Sequence, residues 1–143
     1  MSAESDHLLE LLVAQRRGVL TTIKKDGRPQ LSNIGYFYAA EAKTVRISVT
    51  DDRAKTRNLR RDPRASLLVT TPDLGAYAVV ESTAELSPVT TRPDDATADA
   101  LVELYRSIAG EHPDWDEFRA AMVTDRRLLL SLPVDRVYGW NPS

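Results

Sequence analysis

Arg53, Lys55, Arg57, Arg60, Arg61 and Arg64 fall within twelve positions, with Asp62 the only acid among them, in a chain whose formal net charge is −2. The segment carries +5, so the remainder carries −7, and the basicity is local. Cations so concentrated imply an anion. If the segment is a helix, Arg57, Arg60, Arg61 and Arg64 lie at i, i+3, i+4 and i+7, one face that suits either nucleic-acid contact or simple solvation. If it is a strand end followed by a turn, Arg53 and Lys55 flank a small residue, with Ser48, Thr50 and Thr56 adding hydroxyls. A phosphate prefers that second set, because charge-assisted hydrogen bonds are shorter and stronger than neutral ones. The residues alone leave all three readings open. A sequence pI near 5.7 argues against a protein that coats nucleic acid, since counterion release needs a continuous basic surface.

Other chemistry is sparse. The chain has no cysteine, which removes disulfides, thiolate metal sites and thiol nucleophiles, and its two histidines, His7 and His112, have no partners in sequence that suggest a triad or a metal site. No G-x-S-x-G, H-E-x-x-H, Walker or G-x-G-x-x-G pattern occurs. Asp94, Asp95, Asp114, Asp116 and Glu117 read as solvated helix starts, and Trp115, Phe118 and Met122 as packing residues at helical spacing. Tyr36, Tyr38 and Tyr77 lie on strands, where they either flank a planar ligand or sit half buried with wet hydroxyls.

These residues need a scaffold, and 143 residues suffice for a single domain with a real core. Ser5 is expected to cap a first helix whose apolar face is Leu8, Leu9, Leu11, Leu12 and Val13, closed by Gly18. Residues 18 to 23 read as a strand, Asp26-Gly27 as a hairpin turn, and Pro29 to about Ala39 as one partner strand with neither face cleanly apolar. Residues 44 to 50 alternate strictly, with Val45, Ile47 and Val49 inward. The basic segment is expected to form a short helix ending before Pro63. Two more strands, two acidic peripheral helices and one or two closing strands bent at Pro133 complete the chain. About six strands in consecutive hairpins imply a mostly β, closed antiparallel barrel. No spanning segment, secretory signal or lipidation signal is evident, so the expected location is the cytoplasm. Arginine outnumbers lysine fifteen to four, a GC-rich signature.

Three stretches, "GVLTTIKKDGRPQLSNIGYFY", "RISVTDDRAKTRNLRRDPRASLLV" and "AYAVVESTAEL", resemble the flavin- and deazaflavin-binding split β-barrel family related to pyridoxamine-phosphate oxidase. Within it the chain is similar to the mycobacterial branch of coenzyme F420-dependent reductases, and the likeness extends through "LYRSIAGEHPDWDEFRAAMVTDRRLLLSLPVDRVYG". The resemblance implies a split β-barrel homodimer with two cofactor sites at the subunit interface. It implies that Arg53, Lys55 and Thr56, with Ser48, grip the cofactor phosphate, beside Thr50 from the residue reading above. Pro29, Gln30, Ser32 and Asn33 would run beside the deazaflavin ring, and Tyr77 would approach from the other subunit. Arg57, Arg60 and Arg61 would meet a polyglutamate tail or only solvent. The implied activity is hydride transfer from reduced F420 to an electron-poor double bond or quinone-like acceptor. FMN oxidase or reductase activity and non-catalytic F420 carriage are the rivals.

Overall fold

The computed structural model describes residues 2–142. Residues Thr44–Thr50 (β4) show how the alternating sequence becomes a core: Val45, Ile47 and Val49 are buried, and β4 pairs antiparallel with Arg127–Pro133 (β8) so that they sit opposite Leu132, Leu130 and Leu128. Each such side chain contributes about 1.5 to 3 kcal/mol on burial. Phe37–Ala39 (β3) and Glu85–Leu86 (β7) complete a four-stranded sheet in the order β3-β4-β8-β7.

The second sheet has five strands in the order β2-β1-β5-β6-β9, formed by Arg17–Ile23 (β1), Pro29–Gly35 (β2), Arg64–Thr70 (β5), Tyr77–Thr83 (β6) and Arg136–Trp140 (β9). Leu20, Leu67, Val69 and Val80 project from it into the core shared with the first sheet. Among the described residues the chain passes between sheets four times: at Tyr36 between β2 and β3, through residues 51–63 between β4 and β5, at Ala84 between β6 and β7, and at Val134 and Asp135 between β8 and β9. This is the expected split-barrel type of fold.

Several local expectations change. The run from Pro29 to Ala39 is two strands in different sheets, because Tyr36 turns the corner with its N–H donating to Arg16 O at 3.0 Å and its hydroxyl to Leu12 O at 2.9 Å. Alternation persists through the bend, so Ile34, Tyr36 and Tyr38 all face the interior. Nine strands replace about six among the described residues, and β1 pairs with β5 and β4 with β8, so the strands are not all consecutive hairpins. The first helix, Ala3–Ala14 (α1), is capped by Ser2, which accepts from the Ser5 N–H, and it ends at Gln15; Gly18 lies inside β1.

Helices position the rest. Leu9 and Leu12 of α1 join the main core at the end of the barrel marked by Tyr36, while Ala54–Arg61 (α2) closes the opposite end and stops before Pro63 as expected. Ala96–Ala109 (α3), capped by Asp95, and Trp115–Thr124 (α4), capped by Asp114, pack over the outer face of the four-stranded sheet. Helix α3 is more than peripheral, since Ala98, Leu101, Val102 and Leu104 are buried. On the outer face of the five-stranded sheet Tyr77, Tyr138 and Trp140 of β6 and β9 are open to solvent, the last 62% exposed, as is Leu31 on the distant edge strand β2. No helix among the described residues is long and apolar enough to cross a membrane.

Candidate functional site

Strand β4 places Ser48 and Thr50 on its outer face, and the chain then turns through Asp51, Asp52 and Arg53 into α2. Hydroxyls stitch this turn. Thr50 Oγ1 donates to Asp52 Oδ1 at 2.8 Å, and Thr56 Oγ1, 1% exposed, donates to Thr50 O at 2.8 Å. Thr50 and Thr56 therefore shape the loop with their donor hydrogens, and only Ser48 keeps its own free.

Partners sort the six cations. Arg57 Nη2 donates to Asp52 O at 2.6 Å, Arg60 pairs with Asp51 at 2.6 Å, and Arg61 Nη2 donates to Ile23 O and Asn58 Oδ1, each at 3.0 Å. Arg64, which belongs to β5, pairs with Asp62 at 2.8 Å and holds that carboxyl down to about 2. Asp51 is also held by Arg126 at 2.7 Å, and these hydrogen bonds lower its pKa. Arg53 and Lys55 are different: among the described residues neither has a hydrogen-bond or ion-pair partner for its side chain.

A seventh cation joins them. Register across β4 and β8 sets Arg127 opposite Thr50, and its Nη1 donates to Ser48 Oγ at 3.2 Å, with Asp125 Oδ2 3.7 Å from Nε. Burial first, and then the charges of Arg53 and Arg127, push the Lys55 ammonium below the ordinary lysine value. The helix that begins there also breaks the usual rule. No acid stands in the first turn of α2 and no side chain caps it, although the N-terminal end of a helix favours negative charge. Desolvated like charges beside unfilled N–H donors form an environment for an anion, and a phosphate fits it. Arg127 escapes sequence reasoning because only the β4–β8 pairing brings it to Ser48.

The expected ring-side residues separate. Strand β2 alternates, so Gln30 and Ser32 face inward while Pro29 and Asn33 are exposed on the other side. These four side chains do not form one wall. Gln30 Oε1 accepts from Asn58 Nδ2 at 3.0 Å, whereas Ser32 Oγ, like Ser82 Oγ, is buried and has no partner. β2 is an edge strand, so part of its backbone N–H and C=O groups point away from β1 and remain available. Tyr77 lies opposite Trp140 on β6, three strands from β2, about 14 Å at ordinary strand spacing, and the single chain does not bring it to the cation cluster.

The histidines stay outside the site. His7 pairs with Glu10 at 3.2 Å, and His112 Nδ1 accepts from the Asp114 N–H at 2.9 Å. No group of three or more His, Asp or Glu residues able to hold a metal occurs among the described residues.

Solved structures share this architecture. The conserved hypothetical protein Rv2991 of Mycobacterium tuberculosis superposes with a TM-score of 0.73 at 23% identity, covering 99% of this chain and 85% of its own. A structure described as an F420 reductase gives 0.66 at 22%, covering 90% and 94%. An FAD-binding protein from Mesorhizobium loti gives 0.64 at 18%, covering 97% and 94%. At such identities the likeness carries the fold alone. The family model described as pyridoxamine 5'-phosphate oxidase matches residues 5–141, nearly the whole chain, and on that match this protein belongs to the pyridoxamine 5'-phosphate oxidase family.

Proposed function

We propose that the protein is an oxidoreductase that binds reduced coenzyme F420 with its phosphate on Arg53, Lys55 and Ser48, and reduces an electron-poor double bond or quinone-like small molecule in the cytoplasm. The single observation that carries the reading is the selective pairing of cations. Arg57, Arg60, Arg61 and Arg64 have internal partners, while Arg53 and Lys55 stand without one at an uncapped helix start. A nucleic-acid face would need the opposite, a row of free arginines.

The chain's own part is positional. Arg53 and Lys55 hold the phosphate, the Thr50–Asp52 and Thr56–Thr50 bonds keep the turn in shape, and the open edge of β2 offers backbone groups to a planar ring. When bound, the reduced deazaflavin supplies a hydride, and the acceptor takes its proton from solvent or a nearby hydroxyl, so no side-chain acid is required. The site is completed in a homodimer, in which a second copy covers the exposed Tyr77, Tyr138 and Trp140 and brings its Tyr77 to the ring.

Fluorescence titration with F420 and absorbance titration with FMN test cofactor choice. Saturable F420 binding with none of FMN is expected; the reverse result makes the protein an FMN enzyme of the same fold. Consumption of reduced F420 with a panel of enones and quinones separates a reductase from a carrier, which binds without turnover.

A further inference from the structure

A pocket adjoins the cation cluster at Ser48 and Arg127. It has a volume of about 200 Å³ and lies between α3, α4 and the outer face of β4 and β8. Leu101, Leu104 and Ile108 of α3 and Phe118 and Met122 of α4 make its wall, with Tyr105 completing the apolar lining. Ile108 is 46% exposed, so the apolar wall opens to solvent. An apolar cavity of about 150 Å³ already accepts benzene, so this one admits a single substituted ring.

The charged end is equally specific. Ser48, Asp125 and Arg127 are the other lining residues. Arg127 uses Nη1 on Ser48 and lies 3.7 Å from Asp125, which leaves most of a five-donor guanidinium available. Around it the interactions link four cations, Arg53, Lys55, Arg57 and Arg127, to two carboxylates, Asp52 and Asp125. One further carboxylate offsets part of that excess, and a guanidinium matches its planar, two-oxygen geometry.

We infer that this pocket binds a small aromatic carboxylate, with the ring among the α3 and α4 side chains and the carboxylate on Arg127. The inference stands whichever cofactor the neighbouring phosphate site takes, because the two share only Ser48 and Arg127. It assigns the α3–α4 pair a ligand-binding task beyond covering the sheet.

The chain has two methionines, Met1 and Met122, so the methyl carbon resonance of Met122 reports on the pocket with little overlap. Phenylacetate is titrated into the full chain in phosphate-free buffer, with phenylacetamide and acetate as controls. The expected result is a saturable ring-current shift of the Met122 methyl with phenylacetate, weaker by about tenfold or more with phenylacetamide and in Arg127→Gln. Acetate should leave the resonance in place. The exposed-site variant Ile108→Trp, which fills the pocket, should lose phenylacetate binding and keep inorganic phosphate binding by calorimetry. Equal affinity for phenylacetamide, an equal shift with acetate, unchanged binding in Ile108→Trp, or no saturable shift each overturns the inference.

Discussion

Asn58 Nδ2 donates to Gln30 Oε1 across 3.0 Å, which ties the middle of α2 to the edge strand on which the unpartnered Ser32 also sits. The same amide donates to Thr22 Oγ1 at 3.0 Å, and Thr22 and Asn58 are both buried. Asn58→Ala therefore removes three hydrogen bonds, the two that Nδ2 donates and the one that Oδ1 accepts from Arg61, and strands two acceptors in the barrel end. A loss of about 2 to 3 kcal/mol in urea denaturation is expected. A loss below half of that shows that α2 is held by its apolar contacts instead.

Lys55 couples the ligand to stability. Its folded pKa is depressed by burial and then by Arg53 and Arg127, so between the folded and unfolded values the unfolded chain binds more protons, and stability of the free protein rises with pH through that window. Phosphate affinity runs the other way and falls as Lys55 loses its proton. Lys55→Ala should leave the fold intact, abolish the stability rise and weaken cofactor binding by about 1 to 3 kcal/mol. Thermal melts and cofactor titrations across pH, both in phosphate-free buffer, measure the two trends.

At the corner between sheets, the Tyr36 hydroxyl donates to Leu12 O at 2.9 Å with the ring 1% exposed, and burial raises its pKa well above the ordinary tyrosine value. Tyr36→Phe keeps the ring and orphans the carbonyl. We expect a cost of about 1 to 3 kcal/mol, read as a lower urea midpoint with an unchanged slope.

Dimerisation is tested on the open face of the five-stranded sheet. The register aligns Tyr77 with Trp140 and Val79 with Tyr138, so the aromatic residues form one patch. Tyr138→Glu places a charge at its centre. Sedimentation should show a dimer for the parent and a monomer for the variant, with cofactor affinity lost alongside; a monomeric parent removes the two-subunit site.

Much of the scaffold is legible in the sequence because its signals are local. Strict alternation marks β4, Asp26-Gly27 marks the first hairpin with Gly27 at φ 88°, and Pro63 ends α2. The Tyr36 corner is invisible because the inward residues keep their period of two straight through it. Ser48, Arg53 and Lys55 can be named as candidates from their spacing, but whether a cation is free depends on distant partners: Arg61 is taken by Ile23 O, Arg126 by Asp51, and Arg127 reaches Ser48 across 79 positions. Pairing between segments distant in sequence carries no local signature.

The unbroken alternation through Tyr36 makes the joint a matter of parity. Deleting Gly35 or inserting one residue beside it would turn β3 inside out relative to β2, exposing Tyr38 and burying Phe37, whereas a two-residue insertion would preserve the inward set. Along this part of the chain, a change of even length keeps the inward set, and a change of odd length keeps it only where a bulge absorbs the odd residue.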